Sequence, residues 1–341
     1  MRVLLVVPSL DVAKFKGLAK TSLELVKGLE KTVDLEVYEV HNISKNSGYF
    51  KNVTTVPLKQ LTSKVDICHA MVPESGAIAF LKRNLVVTFH DFVPLRLPER
   101  LNFKNTLLLK AYVNLTWRLA SRAKTILCNS TQTAAEVKSF FKRDSIVVNP
   151  GVDERFKPMH IKKEKPTLGF FANFTYRKRA DIAVKVFKIL KQKIDCKLIL
   201  AGGYIQSLYQ RNFDIKRMVE DLKDVEVYGY IPEEDLVRLY NSFDFYLFPS
   251  VFEGFGIPIL EAQKCGIPTF IMRDAMIPQE TKRMAIECSS PEDMAGKILY
   301  LLENKDEYRR ISEQGRRYAS QFTWKKFVEQ HLTIYESLVK R

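Results

Sequence analysis

The chain has 341 residues, a formal charge of +15 at neutral pH, and 46% hydrophobic residues. That length is more than one core usually serves, and no apolar run approaches the ~20 residues of a membrane-spanning helix, so two soluble domains are expected. Residues 1–155 carry 23 Lys and Arg against 14 Asp and Glu. The positive charge is therefore not a tail, and it favours phosphorylated ligands, an anionic membrane surface or nucleic acid. Five scattered cysteines show no CxxC or Cys/His ligand spacing. They read as buried free thiols of a cytoplasmic protein, without a zinc site.

The opening "MRVLLVVPSLD" lacks a small-residue cleavage site and is too short for a signal core, so it reads as a buried first strand. In "KFKGLAK" (14–20), Gly17 falls near the start of a helix, short of a GxGxxG dinucleotide fingerprint. Further strand-like runs are "VDLEVYEV", "VDICHAM", "NLVVTFHD", "TILCNS" and "SIVVNPGVD". The fourth strand of this half places His90 just past its end, beside Asp91; such a histidine is either structural or catalytic. Residues 103–124 form an amphipathic helix in which Lys110, Asn114, Arg118 and Arg122 recur at four-residue spacing beside a face holding Trp117. Two readings stay open for it: a core helix with a solvated basic face, or contact with anionic headgroups. In "NSTQTAAE", Thr133 and Glu136 stand at capping-box spacing, which leaves Ser130 and Thr131 no function.

The Lys/Pro-rich stretch "FKPMHIKKEKP" (156–166) is the best linker. It divides the chain into domains at 1–158 and 159–321, with 322–341 a long amphipathic helix that could return to the first domain. The second half continues with the strands "LGFFAN", "CKLILAGG", "VEVYGY", "FYLFPS" and "PTFIM". Near-continuous apolar strands alternating with amphipathic helices predict an α/β fold: two Rossmann-like domains with parallel sheets, facing a central cleft.

Ligands of such sheets bind beyond the carboxyl ends of the strands. In "FPSVFEGFGIPILEAQKCGIP" (248–268), Pro258 suits the first helical position and Gly266 the residue after the last. Glu261 then lies in the first turn and Glu253 in the loop before it. Gly254 and Gly256 permit close backbone approach, and helix-start amides favour an anion. A phosphate on the amides with hydroxyls on the two carboxylates is one reading. The other is a dipole-favoured first-turn acid and a solvated loop residue. In "FTYRKRAD" (174–181), Arg177 and Lys178 are placed for a diphosphate or form a solvated basic turn. "LAGG" is a tight turn without chemistry.

These residues carry a resemblance. "EGFGIPILE" resembles the E-x7-E signature of retaining family 4 glycosyltransferases (glycosyl transferases group 1, GT-B fold). Similar segments run in order along nearly the whole chain: "THD" at His90, "ILCNSTQTAAEV", "VVNPGVDERFKP", "RK" ahead of a helix, "YNSFDFYLFPS" and "FTW". The resemblance implies that Glu261 holds the nucleotide's ribose hydroxyls and Glu253 those of the donor sugar. It implies that amides of Gly254, Phe255, Gly256 and Ile257 line the sugar and phosphate pocket. Lys178 and Arg177 would bind the diphosphate, the backbone at Tyr230 and Ile231 would cradle the base, and Gly17 would approach the phosphates. His90, with Glu253, would act at the reacting carbon. The implied reaction is retaining transfer of a sugar from a UDP-, GDP- or ADP-sugar to a glycan or lipid-linked acceptor, without metal or tightly bound cofactor. Peripheral attachment at the cytoplasmic face of a membrane would go with the lipid-linked case. The sequence departs from the family at the first-domain loop, which has one glycine, at Ala172, where the family often has Arg, and at Arg179, where Gly or Asn is usual. A GT-B-like epimerase or phosphorylase, or a non-enzymatic basic protein on membrane or nucleic acid, are the alternatives. Aromatic-interleaved basic patches are missing, which counts against nucleic acid.

Overall fold

A computed structural model describes residues 1–40, 51–52, 54–77, 84–96, 103–204 and 212–340, with the side chains of all of these except 13–16 and 103–109. The chain divides into two compact units, Met1–Gly151 with Phe322–Arg341, and Val152–Gln321.

Among the described residues, the first unit holds six strands: β1 (Arg2–Val7), β2 (Asp34–Glu39), β3 (Ile67–Ala70), β4 (Leu85–Phe89), β5 (Thr125–Cys128) and β6 (Ile146–Val147). They are all parallel and lie in the order β2-β1-β3-β4-β5-β6. The run of apolar residues in β1 follows from burial on both faces. Leu4 and Val6 join a core with Cys68, Val87, Phe89 and Trp117. Val3, Leu5 and Val7, pointing the other way, join a second core. The helix Trp324–Val339 supplies Phe327, Val328, Tyr335 and Leu338 to that second core.

The second unit holds β7 (Thr167–Phe171), β8 (Lys197–Ala201), β9 (Val225–Tyr228), β10 (Phe245–Leu247), β11 (Thr269–Met272) and β12 (Ile286–Cys288). This sheet is also parallel, in the order β12-β11-β10-β7-β8-β9. The α/β architecture read from the alternating pattern is therefore present twice. Eleven of the strands coincide with apolar runs in the sequence. The twelfth, β12, has only three residues at a sheet edge and carried no such signal. The "LAGG" turn is set by backbone contact: Gly202 adopts φ +146°, and a Cβ there would sit 1.8 Å from the Ala172 carbonyl oxygen.

In each sheet the chain reverses its direction of growth once. In the first unit this happens between β1 and β3; in the second it happens between β7 and β10. A crevice opens at the carboxyl ends of the strands where an α/β sheet reverses in this way.

The helix Thr131–Phe141 begins one turn earlier than its capping-box spacing suggested. Ser130 is its N-cap, and its Oγ accepts from the Thr133 amide at 3.1 Å. Glu136 instead pairs with Arg96 at 2.5 Å. In the helix Phe103–Ala120, Trp117 is buried and donates to Glu74 Oε1 at 2.9 Å, while Asn114, Leu115 and Arg118 are exposed. All five cysteines are buried free thiols.

Candidate functional site

The loops leaving β7 and β10 come together because those two strands are hydrogen-bonded neighbours at the reversal point of the second sheet. The loop after β7 makes a short 3-10 turn, Tyr176–Lys178. The loop after β10 is tied to it by the Val251 amide, which donates to the Arg177 carbonyl at 2.9 Å. A further tie holds its far side, where the Glu253 amide donates to the Met276 carbonyl at 2.9 Å.

Between these loops lies a cluster of charge. Lys178 Nζ is 2.5 Å from Glu253 Oε1, and Arg177 Nη1 is 3.1 Å from the same oxygen. Ser250 Oγ also donates to Oε1. Arg177 Nη1 donates to the Phe252 carbonyl at 2.5 Å, and Lys178 Nζ stands 5.1 Å from the centre of the Phe248 ring. Burial pushes the Glu253 carboxyl up. The charges of Lys178 and Arg177 and the bonds from Lys178 and Ser250 more than reverse this, bringing it down to about 2. Glu253 is therefore a buried carboxylate, ionised across the physiological range, and not the solvated loop residue that composition alone allowed.

Glu261 stands on the helix Ile257–Lys264. This helix starts one residue earlier than Pro258 suggested. Gly256 is its N-cap, at φ +96°, and Glu261 is the fifth helical residue, past the first turn. Gly266 follows the C-cap at φ +80°, as its position in the sequence implied. Tyr240 donates from its phenol to Glu261 Oε2 at 2.7 Å. Tyr240 is fully buried and packs edge-on against Phe156, Phe171, Phe243 and Tyr246. Burial, and then the negative charge of Glu261, hold its phenol well above the usual tyrosine range. Phe255 is buried, and its carbonyl accepts from Thr281 Oγ1 at 2.6 Å. Gly254 and Ile257 are half-buried, Tyr230 is exposed, and Ile231 lines a cavity of about 610 Å³ beside β8 and β9.

In the first unit, His90 follows β4. Its Nε2 lies 2.7 Å from the Met71 carbonyl oxygen. A carbonyl can only accept, so this ring nitrogen carries the proton. Burial pushes the imidazole down to about 4, so it is neutral near pH 7. Met71 follows β3, so His90 is held at the carboxyl end of β3, one of the two strands that border the reversal point of the first sheet. Gly17 is the sixth residue of the helix Val12–Leu29, and a Cβ there would meet nothing within 4 Å.

Phe248 and Tyr240 carry no site signal of their own in the sequence, and Ser250 only that of heading the strand-end segment 250–261. Ser250 and Phe248 lie inside the quoted "FPSVFEGFG" stretch, and Tyr240 opens "YNSFDFYLFPS". Their only signal was nearness to a candidate acid or membership of a segment already singled out. Among the described residues, no group of three or more His, Cys, Asp or Glu is placed to hold a metal, and no helix is long and apolar enough to cross a membrane.

Comparison with known proteins gives this geometry a family. The model of Glycosyltransferase Family 4 matches residues 17–156, and that of Glycosyl transferases group 1 matches residues 151–318. An O-antigen chain mannosyltransferase B of Escherichia coli is 33% identical over 32% of this chain, a match that spans only 29% of that relative. An uncharacterised glycosyltransferase of Methanocaldococcus jannaschii is 23% identical, over 89% of this chain and 85% of its own. The fold is similar to that of Anabaena HepE, solved in complex with UDP and glucose, with a TM-score of 0.72 over 99% of this chain and 100% of that one, at 17% identity. The chain belongs to the group 1, family 4 glycosyltransferases of the GT-B fold.

Proposed function

We propose that the chain transfers a sugar from a nucleotide-diphosphate sugar to an acceptor with retention at the anomeric carbon, and that the Val152–Gln321 unit takes the donor. The observation that carries this reading is the convergence of Arg177, Lys178 and Glu253 at the reversal point of the second sheet, with Glu261 on the adjoining helix. Two cations with little exposure, beside the start of a helix, suit a diphosphate. A carboxylate that stays ionised suits the hydroxyls of a sugar.

In this reading Lys178 and Arg177 bind the diphosphate and stabilise the charge that develops on it as the sugar leaves. Amides from Gly254 to Ile257 line the sugar and phosphate pocket. Glu261 accepts from the ribose hydroxyls, Glu253 from the sugar, and the backbone at Tyr230 and Ile231 cradles the base. A carboxyl held near 2 is a poor proton acceptor at neutral pH, so Glu253 works by position and charge and not as a general base. With Nε2 committed to Met71, the other nitrogen of His90 accepts from a donor-sugar hydroxyl near the reacting carbon. Gly17 approaches the phosphates from the first unit, which takes the acceptor side. The two cations supply the charge that a metal would otherwise bring, and transfer is metal-independent. UDP, GDP or ADP is the nucleotide; UDP is favoured by the ligand of the Anabaena HepE structure. The acceptor is a glycan or a lipid-linked molecule, met in the cytoplasm or at a membrane face.

Thermal-shift measurements with UDP, GDP and ADP test the reading. One nucleotide stabilises the wild type and loses its effect in Glu261→Ala. Equal stabilisation by any polyanion would sink it. Mass spectrometry of products from a nucleotide-sugar panel then identifies sugar and acceptor.

A further inference from the structure

The two cations assigned to the diphosphate already hold an anion. Lys178 and Arg177 both approach Oε1 of Glu253, at 2.5 and 3.1 Å, and the three side chains are only 10 to 15% exposed. Ser250, which has no exposure, places its hydroxyl on the same oxygen. Three donors thus meet at a single carboxylate oxygen. Removed from solvent, these charges are weakly screened and act strongly on one another and on any charge brought beside them.

A diphosphate that binds Lys178 and Arg177 must share them with this carboxylate. Its own charge then lies close to another negative charge, a like-charge contact that weakens binding. A sugar still attached to the diphosphate changes the balance in two ways. The diphosphate carries one negative charge fewer, and sugar hydroxyls donate to Glu253 and satisfy it. Once the sugar has left, the diphosphate gains a charge and those hydroxyls are gone.

We infer that Glu253 is a specificity-determining residue that disfavours the bare nucleoside diphosphate relative to the sugar-linked donor, and so promotes product release. This rests on the donor-site reading above and adds to it a second task for the same carboxylate. It also gives a reason for placing an acid between two phosphate-binding cations, where it lowers the affinity for phosphate.

The experiment is isothermal titration calorimetry on the full chain with inorganic pyrophosphate, with the nucleoside diphosphate that stabilises the wild type, and with the matching nucleotide sugar. Glu253→Gln removes the charge and keeps an oxygen that can accept from Ser250 and Lys178. It is expected to bind pyrophosphate and the nucleoside diphosphate about tenfold tighter and the nucleotide sugar more weakly. The inhibition constant of the nucleoside diphosphate in turnover falls in parallel. Pyrophosphate affinity that is unchanged or weaker in a folded Glu253→Gln overturns the inference. If that variant does not fold, Glu253→Asp serves, because it draws the charge back by one methylene. It is expected to bind pyrophosphate more tightly than the wild type, and unchanged binding overturns the inference equally. The underlying reading has a separate test in Lys178→Ala, which should lose pyrophosphate binding. If it does not, the donor-site assignment itself fails. If it does while Glu253→Gln gains nothing, only the counter-anion role is lost.

Discussion

The phenol of Tyr240 donates to Oε2 of Glu261 at 2.7 Å from a fully buried position, which fixes how the carboxylate is turned. Tyr240→Phe keeps the ring and its aromatic neighbours and removes only this bond. Bonds to charged groups contribute about 1.5–3 kcal/mol when made, so a loss of roughly 1–2 kcal/mol in urea unfolding is expected. If Glu261 holds the ribose, nucleotide affinity falls several-fold as well. Unchanged affinity would show that the carboxylate orients itself without Tyr240.

Two glycines give opposite expectations for the same substitution. Gly202→Ala puts a methyl 1.8 Å from the Ala172 carbonyl oxygen in a backbone conformation that disfavours side chains. It should cost more than about 3 kcal/mol, visible as loss of folded protein or a large fall in melting temperature. Gly17→Ala meets nothing within 4 Å on a helix and should leave stability equal or raised by up to ~1 kcal/mol. Any large loss of donor affinity in that variant then reports a ligand contact and not misfolding.

Acid should weaken the first unit through its buried histidines. His331 is pushed by burial from 6.5 to about 4, and His69 is lowered by burial and by its neighbours His331 and His90. His69 also lies between the Tyr335 hydroxyl at 2.5 Å and the Thr88 hydroxyl at 2.7 Å. The folded state holds these rings neutral, and the unfolded chain takes up their protons more readily. Their contribution is therefore complete above pH 6.5 and is lost as pH falls from 6.5 towards 4. Each histidine removes up to about 1.4 kcal/mol per pH unit in that window. Urea unfolding at pH 7 and pH 5 measures the slope, and a flat profile would contradict this account.

The helix Phe103–Ala120 presents Leu115, at 61% exposure, beside Arg118, with Arg122 exposed just beyond the helix end. For a lipid-linked acceptor, binding to vesicles that contain anionic lipid is expected, falling as salt rises and in the double variant Arg118→Glu, Arg122→Glu. Vesicle flotation provides the measurement. Failure of the wild type to float would point to an acceptor free in solution.

Strands such as β1 and β8 were legible because burial on both faces demands a continuous apolar run. β12 was not, since a three-residue edge strand with only Cys288 buried needs no such run. The acids at 253 and 261 and the basic pair at 177 and 178 stood out as charge beside glycine and strand ends. What could not be read was their pairing, for Lys178 and Glu253 are 75 residues apart in the chain. They meet only because β7 lies beside β10, and strand order is not written in local sequence. Trp117 was visible as part of an apolar face; its place in the core with Phe89 and its bond to Glu74 show that it turns inward.

The helix Trp324–Val339 completes a core whose other members lie before residue 149. During synthesis, all of Val152–Gln321 is made before that helix exists. At roughly 5–20 residues per second, the interval is on the order of ten seconds or more. Through that time one face of the first sheet lacks its last cover, leaving His69 on β3 and the helix Val12–Leu29 around Gly28 without the helix that packs on them. The second unit can meanwhile fold as an unbroken segment, so the half of the protein begun first is the half finished last.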